Sequence, residues 1–472
     1  MVFSSILFLS VFLPLFLFCF YLSPIWLKKW TIAIFSIVFY AWGAPVFVFF
    51  LLGSSIIDFF LSKKLQPDQP NRKYFLWFSL FLNISLLAYF KYANFFVGNV
   101  SEVSEAFGFS QVSFKEVLLP IGISFFTFQK ISYVMDVYSG RNERLTNFLD
   151  YLMYIIMFPQ LIAGPIVRYN DVSDQIKNYH TNKFDQKLHG LYRFIIGLGK
   201  KIFIANTFAE VVANVNGLGI DQMSTTDSWM GILAYTFQIY FDFAGYSDMA
   251  IGLGLMIGFQ FPENFNFPYL SKSITEFWQR WHITLGSWMR DYLYIPLGGN
   301  RVSNIRVYFN LLFVFFISGF WHGANWNFII WGFYHGFFLM IERAGLAKFI
   351  HKLPKFIQIS YTFLVVMMGW VFFSMDVHTA GLYLQKMFAF SDLQLSVSVP
   401  IKSMLIMVAG TLTAFMAVNK PLLDYFNQLP QKLANARLGV SMIIYPAFIL
   451  ILFLSFVSLM TTGFNPFIYY RF

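Results

Sequence analysis

The sequence predicts an all-α polytopic membrane protein, with about 10–13 transmembrane or re-entrant helices at about 20 residues per span. Three observations carry this. Hydrophobic residues fill 58% of the 472 positions and charged residues only 12%, against roughly 25% in an ordinary soluble domain. Aromatic residues reach 21%, 63 Phe among them, and mean hydropathy is +0.60. Apolar runs long enough to cross a bilayer recur from one end to the other. A soluble enzyme, a disordered chain and a disulfide scaffold are excluded; Cys19 is the single cysteine. The net charge of +10 reads as positive-inside loops, not as a nucleic-acid surface.

Residues 1 to 22 lack a basic region before the apolar run and a small-residue exit after it, so an anchored first span is expected here, not a cleaved signal. Further apolar segments run over 30–61, 74–98, 117–135, 148–167, 188–214, 228–262, 307–341, 357–375, 401–419 and 440–461. Several exceed one pass and should tilt, break or re-enter. Charge gathers between them: Lys63, Lys64, Arg72 and Lys73; Lys200 and Lys201; Arg343, Lys348, Lys352 and Lys355. These are placed on the cytoplasmic side. Polar stretches at 98–116, 168–187, 376–400 and 420–438 are loops or surface helices too short for a separate domain. The chain is expected to be one integral membrane domain, residues 1–472, without an internal repeat visible to the eye.

In SKSITEFWQRWHITLGSWMRDYLYIPLGGN, residues 271–300, Ser273-x-x-Glu276 matches a capping box opening a helix. Helical spacing sets Glu276, Arg280, Thr284, Ser287 and Asp291 on one stripe, and Trp278, Trp281, His282, Leu285, Trp288 and Tyr292 on the other. An interfacial helix anchored by Trp explains most of this pattern but not the imidazole, which is costly to desolvate when charged. His282 is therefore a site candidate. Between Arg306 and Glu342 no charged residue occurs, and the run is too long for one span. It must break, and Gly319-Phe-Trp-His-Gly-Ala-Asn325 supplies glycine on both sides of His322. Irregular backbone at membrane depth is tolerated only when buried or lining a cavity, so His322 is expected to face an internal pocket. His335 reads as a support for His322 or, more simply, as an interfacial residue.

Asp242 and Asp248 lie in an apolar segment with Gly254-x-x-x-Gly258 downstream, a spacing that allows close helix approach. The acids either bond to Arg or His of other spans and fix the bundle or position a catalytic imidazole; the sequence does not separate the two, and the structural reading is preferred. His180-x4-Asp185 has the spacing of an acyltransferase pair but lies in a polar loop without a supporting motif, and is read as chance. Zinc-protease, serine-elbow and P-loop motifs are lacking, which leaves a histidine-centred membrane reaction.

At these residues the chain resembles the membrane-bound O-acyltransferase family, in its bacterial alginate O-acetylation branch. The resemblance runs through MVFSS, YFKYANF, LPIGISFFTFQKISYVMDVY, FPQLIAGPIVR, YFDFAGYSDMAIGLGLMIGF, ENFNFPYLSKSITEFWQRWHITLGSWMRDYLYIPLGGNR, GFWHGANWNFIIWG and PFIYYRF, and is weaker over 376–440. It implies helices around a funnel or tunnel in the bacterial inner membrane. The family's essential histidine matches His322 and its other motif histidine His282. It further implies an acetyl-CoA donor on the cytoplasmic side, no bound cofactor, a periplasmic acetyltransferase or acceptor protein, and a polysaccharide as final acceptor. Relatives in the branch acetylate peptidoglycan or pass D-alanine from a carrier-protein thioester to teichoic acid.

On this reading His322 is the general base. His282 orients donor or acceptor, or hydrogen-bonds the thioester carbonyl. Trp278, Trp281, Trp321 and Asn325 contribute to substrate binding, with Asn325 and nearby backbone N–H groups facing the developing oxyanion. No metal is expected. The competing classes are a proton-coupled transporter or flippase built on His322, Asp242 and Asp248, and a non-catalytic scaffold.

Overall fold

The computed structural model describes residues 1–181, 183–390, 392–416, 438–462 and 466–468, and among them no strand occurs. Two compact units emerge. The first holds Met1, 7–183 and 254–262; the second holds 2–6, 184–253 and 263–472. Among the described residues four helical stretches are long and apolar enough to cross a membrane: Ile25–Gly43, Arg72–Ala106, Asn304–His322 and Lys355–Ser374. Shorter apolar helices are Phe8–Leu22, Phe47–Ser62, Ile401–Ala414 and Tyr445–Thr461. The polar stretch expected at 420–438 lies outside the described residues except for its last position, as do the last four residues of the PFIYYRF motif.

In the first unit a polar knot ties three apolar helices, Phe47–Ser62, Arg72–Leu87 and Ile123–Ser139. The buried Asp58 carboxylate accepts from Ser79 Oγ at 2.6 Å and from Asn83 Nδ2 at 2.9 and 3.0 Å, with Lys130 Nζ 3.8 Å away. A carboxylate can remain at such depth because its lone pairs are taken up and a cation stands beside it. Gly122 (φ 77°) and Gly140 (φ 71°) bracket the third of these helices in left-handed backbone, and a Cβ on Gly122 would lie 2.8 Å from the Leu161 carbonyl oxygen.

The second unit is organised around the long helix Thr225–Ile257, most of which belongs to it. This helix meets Phe184–Gly199 backbone to backbone. A Cβ on Gly197 would stand 2.5 Å from the Gly245 oxygen, one on Gly245 2.7 Å from the Gly197 oxygen, and one on Gly252 2.5 Å from the Gly190 oxygen. Close approach thus uses glycines spaced two turns apart. The predicted Gly254/Gly258 pair does something else: Gly254 is packed by Phe261, while Gly258 (φ 101°) leaves the helix.

The two acids of the long helix are paired by cations, as expected of structural carboxylates, though one partner pair differs from expectation. Lys201 Nζ is 2.6 Å from Asp242 Oδ1, and Lys200 Nζ is 2.7 Å from Asp248 Oδ2, with Arg193 at 2.9 Å from Asp248. Lys201 is thus buried against an acid and is not a loop charge, because two opposite charges share one desolvation cost better than either bears it alone.

The 306–342 run breaks where its glycines predict. Helix Asn304–His322 ends at extended Gly323 (ψ 148°), and Trp326–Ile341 returns beside it. Gly319 and Gly332 each sit against a backbone carbonyl of the opposite helix, Phe328 and Phe315. This hairpin brings Trp331 onto Trp370 and Phe373 in an aromatic core that also takes in Trp281, Phe277 and Tyr269.

Candidate active site

The segment around His282 is not the single amphipathic helix that its spacing predicts. Ile274–Arg280 and Ile283–Met289 are separate helices of seven residues each, with Trp281 extended and His282 left-handed at φ 45°, ψ 53° between them. The competing force is backbone pairing with 264–266. Asn266 N–H donates to Arg280 O at 2.9 Å and Ile283 N–H to Asn264 O at 3.0 Å, holding a bridge between Phe265 and Trp281. A non-glycine residue in this region is uncommon and is kept there by the hydrogen bonds on either side.

The first of these helices starts as the sequence indicates. Ser273 Oγ accepts from Glu276 N–H at 3.0 Å. The reciprocal half of the box is redirected: Glu276 accepts from Lys272 N–H at 2.8 Å and from Arg280 at 2.9 Å. The orphan N–H groups of Ile274 and Thr275 go instead to the buried Glu342 carboxylate, at 2.7 and 3.0 Å.

A cavity of about 510 Å³ opens beside these helices, lined by Thr275, Trp278, His282, Ser287, Arg290 and Tyr294 among others. The His282 ring is 1% exposed and stands edge-on to Phe243, 4.7 Å between centroids. Its Nδ1 lies 2.9 Å from Asn264 Oδ1, while Nε2 is buried with no hydrogen-bond partner among the described residues. Burial without a neighbouring charge lowers its pKa to about 3, so the ring is neutral at physiological pH. Trp278 Nε1–H is likewise buried and without a partner among the described residues. Two residues of the cavity lining thus carry a buried ring nitrogen without a hydrogen-bond partner among the described residues.

A second cavity, about 670 Å³, is lined by Arg193, Lys200, Asp248, Glu263, Asn264 and Asn266, and shares Ile283 with the first. The bond between Asn264 and His282 therefore joins the two walls.

His322 is 4% exposed, at the end of its helix, boxed by Trp321, Trp331 and Phe373 with ring centroids 4.9–5.2 Å away. It does not line the 510 Å³ cavity. Trp321 stands between the two histidines, its ring 6.3 Å from that of His282. Trp281, expected beside substrate with Trp278, packs into the aromatic core and is absent from the cavity lining. Asn325 is exposed at the start of Trp326–Ile341. His335 is fully buried, with Trp278, Trp331 and Tyr334 around it and Gly369 making room at its Nε2, so it is not interfacial. His180 is exposed and contacts its own loop, Nδ1 3.0 Å from Asn178 O. Sequence reasoning passed over Asn264, Thr284 and Glu342, since the contacts that matter join segments remote along the chain.

The model of the membrane-bound O-acyltransferase family matches residues 74–385. The chain belongs to that family. It is 40% identical, over the full length of both chains, to the protein named "Probable alginate O-acetylase AlgI" of Pseudomonas putida. It is 40% identical to the peptidoglycan O-acetyltransferase of Helicobacter pylori, with 79% of this chain and 77% of that one covered. The teichoic acid D-alanyltransferase of Bacillus subtilis is 31% identical over 46% of this chain and 56% of its own. This O-acyltransferase is a multi-pass membrane protein of the alginate O-acetylation branch, and its family match runs through both compact units.

Proposed function

We propose that this acyltransferase takes an acetyl group from acetyl-CoA on the cytoplasmic side of the bacterial inner membrane and passes it, through a periplasmic partner, to an extracytoplasmic polysaccharide of the alginate class. The whole chain, residues 1–472, acts as one domain. The observation that carries the reading is the paired acceptor and donor, His282 Nε2 and Trp278 Nε1–H, buried without partners on the wall of a cavity. A buried polar group left unpaired costs about 1–3 kcal/mol, a cost relieved when a substrate with complementary groups enters. Full-length likeness to a protein named as an alginate O-acetylase favours acetyl over D-alanyl transfer, for which the relative covers 46% of this chain.

In the reaction the acceptor hydroxyl gives its proton to His322 and its oxygen attacks the thioester carbonyl. The tetrahedral oxyanion collapses by breaking the C–S bond, and the thiolate leaves and takes up the proton. A positioned imidazole base contributes roughly 10²–10⁴ in rate. The Trp278 N–H and backbone donors near the Gly323 break supply hydrogen bonds to the oxyanion, and the cavity beside Trp278 and His282 receives the thioester. Two cavities meeting at Ile283 support separate routes for donor and acceptor.

The test supplies labelled acetyl-CoA to one face of reconstituted vesicles holding the acceptor protein and follows label on the other. Wild type should transfer label and a folded His322→Ala protein should lose at least 10²-fold. Wild-type transfer by the variant overturns the assignment of the base. Label delivered from a D-alanyl carrier protein but not from acetyl-CoA overturns the assignment of the donor.

A further inference from the structure

The hydrogen bonds around Asn264 form a closed set. Its Oδ1 faces three groups: His282 Nδ1 at 2.9 Å, Thr284 Oγ1 at 2.9 Å and the Thr284 backbone N at 3.5 Å. Its Nδ2 donates to Ser247 Oγ at 3.0 Å, on the long helix one turn beyond Phe243. A backbone N–H only donates, so the side of the amide facing the Thr284 N–H at 3.5 Å is its carbonyl. A carbonyl oxygen only accepts. The ring nitrogen opposite it must then carry the hydrogen.

We propose that Asn264 is the positioning residue of this acyltransferase site, holding His282 in the Nδ1–H tautomer so that Nε2 meets the substrate as a hydrogen-bond acceptor. This rests on the reading of His282 as a substrate-contacting residue, and it chooses between the two roles open to that residue. A neutral ring with its hydrogen at Nδ1 has none to offer a thioester carbonyl from Nε2. It accepts instead, from a hydroxyl of the acceptor or an amide N–H of the donor. The oxyanion is left to Trp278 and the backbone donors.

The surroundings reinforce the assignment. The left-handed backbone at His282 aims the ring, and Asn264 is held to the next residue as well, its backbone O accepting from Ile283 N–H beside the side-chain contact with His282. Thr284 and Ser247 hold the amide from both sides, and turning Asn264 over would set its NH₂ against the Thr284 backbone N–H, which only donates. The ring is further packed edge-on against Phe243.

The test uses full-length protein in detergent or nanodiscs with ¹⁵N-labelled histidine, the His282 signals being assigned by their loss in His282→Gln. Wild type should show protonated Nδ1 and bare Nε2 at neutral pH. Asn264→Leu, close in shape but without an acceptor, should lose that pattern and drop kcat/KM roughly 10²-fold. Asn264→Asp keeps an acceptor toward Nδ1 and lets Ser247 donate, and should recover both the tautomer and activity to within about tenfold of wild type. An Nε2–H ring in wild type overturns the proposal at any level of activity. So does an Asn264→Leu protein that keeps the tautomer, or that turns over like wild type. Wild-type turnover by His282→Ala would instead overturn the substrate-contact reading beneath it, and the spectrum separates the two cases.

Discussion

Replacing Glu342 should both destabilise the second unit and blunt catalysis, although it touches neither histidine. Its carboxylate, 2% exposed, accepts Ile274 N–H at 2.7 Å, Thr275 N–H at 3.0 Å and Thr275 Oγ1 at 2.9 Å. With Glu342→Ala the hydroxyl can rotate to another acceptor, but the two backbone donors cannot move without unwinding the first turn. The buried Ile274 N–H costs about 1–3 kcal/mol when unsatisfied and the N–H of the exposed Thr275 adds little, so the loss expected is about 1–3 kcal/mol. Glu342→Gln keeps one acceptor oxygen and turns an N–H toward the other donor, for roughly half that loss. The affected turn begins a helix of only seven residues that carries Trp278 into the cavity wall, so transfer activity should fall in step. Glu276→Gln is the control: its bonds to Arg280 and Lys272 lie in a partly exposed site, where such a pair contributes about 0–1 kcal/mol. Unfolding of the purified protein in detergent and acyl transfer in proteoliposomes report the two effects. A Glu342→Ala protein within 0.5 kcal/mol of wild type and equally active would refute the idea that this carboxylate holds the helix in place.

Gly319→Ala should cost about 1–3 kcal/mol or more and lower turnover sharply, because the new methyl meets the Phe328 backbone and parts the hairpin one turn from His322. Gly336→Ala, on the same hairpin, meets the Leu312 side chain at 3.1 Å and Phe315 Cβ at 3.3 Å, which need give by only a few tenths of an ångström, and should cost less than Gly319→Ala; thermal unfolding and transfer assays compare the two. The lowered pKa of His282 makes stability depend on pH. Between pH 6.5 and about 3 the unfolded chain binds a proton that the folded ring refuses, so stability is intact above that window and falls within it, by about 1.4 kcal/mol per unit. Denaturation of His282→Gln should show a shallower acid decline, and an unchanged slope would contradict the burial of a neutral ring.

Local signals were legible where local forces decide. The apolar composition fixes the helical membrane fold, the glycines flanking His322 mark the hairpin break, and Ser273 marks a helix start. What was hidden rests on contacts between distant segments. A 3.6-residue stripe from 273 to 292 reads as one helix until 264–266 pairs with it, and nothing near His282 announces an asparagine 18 residues earlier. The same periodicity made Trp278 and Trp281 equivalent, whereas the break sends one to the cavity and the other to the core. The GxxxG spacing drew attention to Gly254 and Gly258, while the helices touch through Gly190, Gly197, Gly245 and Gly252.

That glycine seam has a mechanical consequence. With carbonyl oxygens seated where side chains would normally keep helices apart, Phe184–Gly199 and Thr225–Ile257 interlock like a rack and pinion with teeth two turns apart. Sliding one along the other would drive a side chain into main chain at every intermediate step, so the pair cannot piston. Ser247 and Asp248 ride on this stationary rail. Helices that meet through side chains, which can swing aside and return, have a freedom of movement that this seam lacks.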